Sequence, residues 1–524
     1  MKRTRLTAIL LVALCGFTSL AWAGPPAEKL DEDEWYVVKI QDQPCGYMHS
    51  TMRKVGDEVH SKSTLQLKIA RGKALVKITL DLGFRETLDG RPLGLVNKVA
   101  LGEIPMTYTG TVKDGKITLT IEQFGTKHTS VYPFDPEILF TWGQMLEQRK
   151  RGLTPGSIIH AKTYDPSLRP DGPVEVSFKC LGQEDVNVLG RKQKLHHVVA
   201  TMILDSMPAM PGQAQPTNKS KPLEGEKQKF TIDSDVFVDD EARPVITTMD
   251  IGVAKVKMFL ASKEEALKDA DPPEIFFNTF IPVDRTIGHE PHEVKYLLRV
   301  PASSSQGIPD LPNTSMQTFK RLSKNEAELT VRRLNWDKIR RVPAQSAGEQ
   351  MKEYLQASPI VDINDSRIKR LAKRAVKGQD TPAEKADALR KFVTEYIEHK
   401  SMDVGFATAS EVARTQTGDC TEHGVLLAAL ARAAGLPARG VSGIVEVPEG
   451  YLDGDKHAFG YHMWTQVFIG GQWVDIDGAL RQTDCDPTHI AITLMPLNEE
   501  GMIDSLLSLV PLLGRLELKI VSVK

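Results

Sequence analysis

The segment from residue 420 to residue 477 restricts the fold most, because it specifies a buried helix followed by a β-hairpin. Apolar residues recur at helical spacing after Cys420. They are Leu426, Leu427, Leu430, Ala431 and Ala434. Gly435 suits the position just past a helix end, and Pro437 prevents the helix from continuing. We therefore predict a core-facing helix that has Cys420 in its first turn.

The pair Gly470-Gly471 separates two runs that are rich in aromatic and β-branched residues, which is the signal of a two-residue hairpin turn. Side chains alternate along a strand, so this turn places Asp477 on the same sheet face as His462 and diagonal to it. Asp475 shares the face but lies two residues further from His462. The register therefore favours Asp477 as the carboxylate that orients the imidazole, and a slip of one residue would reverse the argument.

Cys420, His462 and Asp477 supply a thiol, an imidazole and a carboxylate, which are the parts of an activated cysteine nucleophile. The free backbone N–H groups at a helix start stabilise a thiolate and lower its pKa. The same groups can hold the oxyanion of a tetrahedral intermediate. If the three side chains meet in space, the chain can attack an acyl group.

These residues resemble the transglutaminase-like superfamily of papain-type cysteine enzymes. The matching segments are Gly418-Asp419-Cys420, Gly435-Leu436-Pro437-Ala438-Arg439, His462-Met463-Trp464 and Trp473-Val474-Asp475-Ile476-Asp477. The resemblance covers roughly residues 350–495 and is closer to bacterial secreted members than to large animal cross-linking enzymes. It implies Cys420 as the nucleophile, His462 as the general base and acid, and Asp477 as the orienting carboxylate. The chain lacks a calcium-loop pattern, and no cofactor is implied.

Three further residues are candidate substrate contacts, namely Trp464, His423 and Glu422. The plainer interpretations are that Trp464 walls the site as a core residue and that His423 caps a polar cluster. The spacing Cys420-x-x-His423 also permits a metal site completed by Asp419 or His462. Because no second Cys/His pair stands at zinc spacing, we predict no metal.

The first 23 residues predict a secretory signal peptide. Lys2, Arg3 and Arg5 precede the apolar stretch 6–20, and Ala23 ends a small-residue cleavage site. We expect a secreted or periplasmic protein without a membrane span after cleavage. Cleavage removes three basic residues and no acidic one, which changes the net charge from −2 to −5. Basic and acidic residues are mixed along the chain, so nucleic-acid binding is not expected.

The predicted organisation is multidomain. After the signal peptide at 1–23, residues 24–270 show strand alternation and turn signals of a mostly antiparallel β region. Residues 271–345 follow Asp271-Pro272-Pro273 and form a small β-rich unit. Residues 346–524 begin with helices and continue with strands, which predicts an α+β domain of the papain-type, transglutaminase-like class.

Four cysteines remain after cleavage, and a catalytic Cys420 must stay reduced. Export permits disulfides, and the pairing of Cys45, Cys180 and Cys485 stays open. The sequence thus predicts an enzyme that acts on a protein or peptide substrate, either a protease or amidase or a protein-modifying transglutaminase. The alternative is a non-catalytic binding protein of the cell envelope with a structural or metal-binding cysteine domain. The oligomeric state and the role of the β region are left open.

Overall fold

Strands dominate the part of the chain that the structure describes. The computed structural model describes residues 30–71, 74–101, 104–123, 126–204, 230–250, 254–273, 279–302, 307–343, 348–399, 407–448, 456–497, 509 and 512–524. The predicted signal peptide at 1–23 lies outside these ranges. The chain divides into two compact units that meet at residues 276–277, and each unit is described by itself.

The N-terminal unit contains one antiparallel sheet of fourteen strands. Its strands are β1 (Asp31–Ile40), β2 (Gln43–Val55), β3 (Glu58–Arg71), β4 (Ala74–Thr87), β5 (Pro92–Leu101), β6 (Ile104–Lys113), β7 (Lys116–Gln123), β8 (Thr126–Pro133), β9 (Ile158–Thr163), β10 (Val174–Val188), β11 (Arg191–Leu204), β12 (Phe230–Val238), β13 (Pro244–Asp250) and β14 (Lys255–Ala261). Neighbouring strands in this sheet are consecutive in sequence, with one exception, the pairing of β1 with β14. Strands β8 and β9 form the two edges of the sheet. The predicted antiparallel β region is therefore a single sheet.

Within the described residues of this unit, two helices accompany the sheet, namely α1 (Thr141–Arg151) and α2 (Lys263–Ala266). The buried Glu86 carboxylate accepts hydrogen bonds of 2.8 Å from the backbone N–H groups of Trp142 and Gly143 at the start of α1. Burial raises the pKa of Glu86 to about 8, although these two N–H groups oppose the rise. The side chain thus fastens α1 to β4.

The C-terminal unit contains two sheets. One has the strand order β17-β18-β16-β23, and the other has the order β15-β20-β19-β22 with β21 paired to β20. Their bounds are β15 (Ile281–Val283), β16 (Glu293–Arg299), β17 (Gln317–Arg321), β18 (Glu326–Arg332), β19 (Ala438–Glu446), β20 (His457–Ile469), β21 (Gln472–Ile476), β22 (Ile490–Met495) and β23 (Glu517–Val523). All described pairings in both sheets are antiparallel.

Strands from the predicted middle unit 271–345 pair with strands from much later in the chain. β15 pairs with β20, and β16 pairs with β23 across more than 200 residues of sequence. These pairings place residues 281–332 in sheets that the C-terminal segment completes. The boundaries 24–270, 271–345 and 346–524 stay predictions.

The described helices of this unit include the predicted one at Cys420, whereas those at residues 336–340 and 409–415 were not predicted. They are α3 (Trp336–Arg340), α4 (Ser366–Ala375), α5 (Pro382–Tyr396), α6 (Ala409–Thr415) and α7 (Cys420–Ala433), with single 3-10 turns at Glu349–Met351 and Glu353–Leu355. Asp365 caps α4, and Thr381 caps α5 in a capping box with Glu384. Helix α7 is buried from Cys420 to Arg432 and runs through the main apolar core. Among the helices in the described ranges, none is long and apolar enough to cross a membrane.

Candidate active site

Cys420 is the first residue of α7, as the apolar periodicity predicts. The Asp419 carboxylate accepts a hydrogen bond of 2.9 Å from the backbone N–H of Thr421. The Glu422 carboxyl group accepts one of 2.9 Å from the backbone N–H of Asp419 and completes a capping box. The thiol is therefore placed at the positive end of a firmly capped helix.

Gly418 is required by the close packing of this helix start. A Cβ atom added to Gly418 would lie 2.2 Å from Cβ of Glu422, far inside van der Waals contact. Any side chain at residue 418 would therefore push Glu422 out of the capping box. This explains physically why a glycine stands two residues before Cys420.

The hairpin of β20 and β21 has the predicted register. Ile469 pairs with Gln472, and Gln466 pairs with Asp475. Nε2 of His462 lies 2.6 Å from Oδ2 of Asp477, and both side chains are fully buried. His462 thus contacts Asp477 and not Asp475, in agreement with the register, while the catalytic roles of these residues stay predictions.

Asp475 has a different set of partners on the same sheet face. Its Oδ1 atom accepts hydrogen bonds from Nε1 of Trp464 at 2.5 Å and from Nε2 of Gln466 at 3.0 Å. Burial raises the pKa of Asp475, and both donors oppose the rise. Asp475 therefore anchors Trp464, while Asp477 serves the imidazole.

The first two turns of α7 pack against the strand that carries His462. The hydroxyl of Thr465 donates a hydrogen bond of 3.0 Å to the carbonyl oxygen of Gly424. A Cβ atom added to Gly478, the residue after Asp477, would lie 3.8 Å from Cβ of His423. The structure thus brings the helix that begins with Cys420 to the two elements that carry His462 and Asp477.

A second histidine, His489, lies beside Asp477 and was not identified in the sequence. Its Nε2 atom is 3.2 Å from Oδ2 of Asp477, and its Nδ1 atom is 3.4 Å from Oδ1 of Asp486. His489 is buried just before β22. In the sequence, His489 stands out only in the isolated pair Cys485-x-x-x-His489, and such a short pattern cannot predict a contact with a residue twelve positions earlier.

The buried ionisable groups around Asp477 and His489 shift one another's pKa values. Burial would raise the pKa of Asp477, but His462 and His489 hold it far below its ordinary value. Burial would lower the pKa of His489, but hydrogen bonds with the carboxylates of Asp477 and Asp486 raise it. Both ring nitrogens of His489 face a carboxylate oxygen, an arrangement that a doubly protonated imidazolium ring satisfies. Burial also raises the pKa of Cys485 to about 12, so that thiol keeps its proton and the two carboxylates carry the countercharge.

Within the described ranges, three side chains of types that can bind a metal ion lie close together, namely His462, Asp477 and His489. One ligand atom from each lies within 4.8 Å of the others. Both imidazoles approach the same Asp477 oxygen at hydrogen-bonding distance. A cation would have to displace the protons that form these hydrogen bonds. The residues therefore fit a hydrogen-bonded cluster better than a metal centre.

The three predicted substrate contacts are all engaged with the protein. Trp464 is bonded to Asp475, Glu422 belongs to the capping box, and Nδ1 of His423 lies 2.6 Å from the carbonyl oxygen of Asp419. All three are buried, as are Cys420 at 3% exposure and His462 at 1%. Their role toward a substrate stays a prediction.

The cysteines of the described ranges form no disulfide. Cys45, Cys180, Cys420 and Cys485 are all buried thiols. Cys420 is therefore not consumed by a bridge to Cys485, which would have abolished any chemistry at the thiol.

Replacing Glu422 with glutamine is expected to be tolerated. Compared with wild type, the stability of the variant should improve as the pH rises. Burial and the neighbouring Asp419 carboxylate raise the pKa of Glu422 well above 4.5. Its contribution to stability is fully present below the unfolded-state pKa and is lost as pH rises through the folded-state pKa. Glutamine has no such loss. Melting temperatures of both proteins at pH 5 and pH 8 test this, and an equal difference at the two pH values would contradict it.

Comparison with known proteins gives one family match. Residues 369–478 match the family model described as the transglutaminase-like superfamily. The matched segment includes Cys420, His462 and Asp477. The chain thus contains a transglutaminase-like segment at residues 369–478. A comparison with curated proteins found no match.

Solved structures with a related arrangement are distant. A candidate cysteine protease from Cytophaga hutchinsonii is 13% identical, with 45% of this chain and 89% of that chain covered and a TM-score of 0.31. The periplasmic domain of TgpA from Pseudomonas aeruginosa is 15% identical, with coverages of 41% and 87% and a TM-score of 0.26. The hypothetical lipoprotein YmcC from Escherichia coli is 11% identical, with coverages of 50% and 95% and a TM-score of 0.17. Likenesses at these TM-scores carry no argument about function.

Proposed function

We propose that this protein is a cysteine-dependent acyl-transfer enzyme. Cys420 is the nucleophile, His462 is the general base and acid, and Asp477 orients His462. The observation that carries the proposal is the buried 2.6 Å contact between His462 and Asp477, on elements packed against the helix that Cys420 begins. Supporting it, these residues lie within the segment that matches the transglutaminase-like superfamily.

The proposed reaction starts with transfer of the Cys420 proton to Nδ1 of His462, while Nε2–H stays donated to Asp477. The thiolate attacks the carbonyl carbon of a carboxamide or peptide bond, and backbone N–H groups at the start of α7 stabilise the oxyanion. The intermediate collapses to a thioester and expels an amine, which takes the proton from His462. Water or a second amine then attacks the thioester, His462 accepts its proton, and the thiol is restored.

We favour water as the acyl acceptor, which makes the enzyme a protease or amidase. An amine acceptor would make it a protein-modifying transglutaminase through the same thioester. The substrate is a protein or peptide in either case. The sequence of residues 1–23 supports export to the periplasm or the outside of the cell, where such a substrate would be met.

The decisive measurement is the pH dependence of iodoacetamide alkylation at Cys420, in wild type and in His462→Ala. A Cys–His couple should label well below the ordinary thiol pKa of about 8.5, and His462→Ala should lose this labelling. Cys420 is buried, so a reagent as small as iodoacetamide is needed to reach the thiol. The modified residue is identified by mass spectrometry of the digested protein.

Three other outcomes of the alkylation experiment would each contradict the proposal. Ordinary thiol behaviour in both proteins would indicate a structural cysteine, as in a non-catalytic envelope binding protein. Labelling only after denaturation would show that the thiol is closed to reagents. Stoichiometric zinc in the purified protein, with labelling that appears only after chelation, would indicate a metal-binding domain.

A further inference from the structure

We propose that His489 is a positioning residue of the site, which holds the Asp477 carboxylate and offsets its negative charge where that carboxylate meets His462. The inference rests on the proposed function of Cys420 and His462. Its structural basis is that one oxygen, Oδ2 of Asp477, contacts Nε2 of both imidazoles, at 2.6 Å for His462 and 3.2 Å for His489. The carboxylate is therefore shared between two rings rather than committed to one.

The other Asp477 oxygen is fixed by the backbone. Oδ1 accepts hydrogen bonds of 2.7 Å and 2.8 Å from the N–H groups of Ala479 and Leu480. With Oδ1 held by the chain, the second ring on Oδ2 completes the set of contacts that fix the carboxylate plane. The Nε2–H of His462 then has a single, defined direction, which sets the direction of its other ring nitrogen.

Asp486 anchors His489 from the opposite side. Its Oδ1 atom faces Nδ1 of His489 at 3.4 Å and accepts hydrogen bonds from the backbone N–H and hydroxyl of Thr488, at 2.9 and 2.5 Å. Its Oδ2 atom is bound by Nδ1 of His289 at 2.5 Å and by Nε2 of Gln482 at 2.7 Å. Such a fully occupied, buried carboxylate is a rigid countercharge for an imidazolium.

The charges alternate in sign along the series Cys420, His462, Asp477, His489 and Asp486. With Cys420 and His462 as an ion pair, the order is thiolate, imidazolium, carboxylate, imidazolium and carboxylate. A neutral His489 would leave two buried carboxylates, Asp477 and Asp486, without a cation between them. The charged form of His489 thus reduces the net charge that His462 experiences.

Within the described part of the chain, the titratable groups that contact or surround His489 come from two places. Its own loop contributes Cys485 and Asp486, and Cys485 keeps its proton at neutral pH. The β20–β21 hairpin contributes His462, Asp475 and Asp477. The edge-on ring of Trp464, with its centroid 5.2 Å away, carries no charge. A positive charge on His489 therefore acts on Asp477 and Asp486, which it contacts, and on the neighbouring His462.

Removal of the charge is expected to raise the pKa of His462. The two ring centroids are 6.3 Å apart, and a unit charge about 6 Å away in a partly screened site moves a pKa by about one unit. His489→Gln keeps an N–H donor for Asp477 but loses the charge. The ion pair of Cys420 and His462 should then persist to a pH about one unit higher than in wild type.

The test uses the full chain and iodoacetamide alkylation of Cys420 from pH 5 to pH 10. The alkaline inflection, where His462 loses its proton, should move up by about one pH unit in His489→Gln. His457→Gln is the matched control. His457 lies on β20, the strand of His462, but it contacts Thr286 instead of Asp477. A merely structural role for His489 would lower the melting temperature without moving the inflection.

The outcomes separate this inference from the proposed function. If wild type shows the low-pH labelling and His489→Gln gives the same inflection as His457→Gln, the role of His489 is wrong and the Cys–His couple stands. If wild type itself shows ordinary thiol behaviour, the proposed function is wrong, and this inference is wrong with it. Should His489→Gln fail to fold, His489→Asn with His457→Asn as its control repeats the comparison with a smaller neutral donor.

Discussion

Replacing Cys420 with serine should lower the rate of amide hydrolysis or transamidation by at least about a thousandfold. Serine keeps the size of the side chain and its place in the capped first turn of α7. A hydroxyl group is far less acidic than a thiol, so His462 cannot generate an equivalent nucleophile in the same geometry. The loss should therefore appear in the rate and not in the melting temperature.

Ammonia release from glutamine-containing peptides and fragmentation of denatured casein measure the two branches of the proposed reaction. Cys45→Ser is the matched control, because Cys45 is a buried thiol of the other unit whose sulfur contacts the Val38 carbonyl oxygen at 3.5 Å. A serine hydroxyl can keep that contact, so the control should retain the wild-type rate. A Cys420→Ser protein that retains the wild-type rate would end the nucleophile assignment.

Replacing Asp477 with alanine is expected to destabilise the protein by about 3–5 kcal/mol, because removing one partner of a buried charge network leaves the others uncompensated. The substitution leaves the backbone N–H groups of Ala479 and Leu480 without their acceptor and His489 without one of its countercharges. Urea unfolding of both proteins at pH 7 gives the difference in the free energy of unfolding.

Asp475→Asn provides the comparison, since Asp475 is also buried but its described hydrogen bonds come from Trp464 and Gln466 and not from an imidazole. Its amide oxygen can still accept from Trp464, so a loss of about 1 kcal/mol is expected. Similar losses for Asp477→Ala and Asp475→Asn would show that the two imidazoles add little to the stability of the site.

The difference in the free energy of unfolding between wild type and Asp477→Ala should change with pH in a defined direction. The pKa of Asp477 is held far below its ordinary 3.8, so its contribution is fully present above about pH 4 and is lost as the pH falls through the folded-state value. The pKa of His489 is raised, so its contribution is present below 6.5 and is lost as the pH rises through its folded-state value. The difference should therefore be flat between pH 5 and pH 6.5 and should shrink at more acidic pH.

Local patterns predicted much of the C-terminal unit. The two-glycine turn fixed the register of β20 and β21, and that register identified Asp477 correctly as the partner of His462. Helix starts with capping side chains were equally predictable, because a capping box lies within four residues. Glu422 shows the limit of that reasoning. Its spacing from Asp419 is also a capping-box pattern, yet the proximity to Cys420 led us to interpret it as a substrate contact.

Contacts between residues far apart in sequence could not be predicted. The strand pairing of β1 with β14 and of β16 with β23 joins segments about 200 residues apart. A turn signal describes only the two strands that flank it, so neither pairing follows from the sequence. His489 was missed for a related reason. It reaches Asp477 through an irregular loop between β21 and β22, and loops lack the periodicity that places a side chain on a face.

Strand β23 has a consequence for the biogenesis of this protein. Residues 517–523 form an edge strand of the sheet that also contains β16, whose residues 293–299 are synthesised some 220 positions earlier. During synthesis, that place beside β16 stays vacant until residues 517–523 have been added. The unit that carries Cys420 therefore completes this sheet only after more than 200 further residues have followed β16.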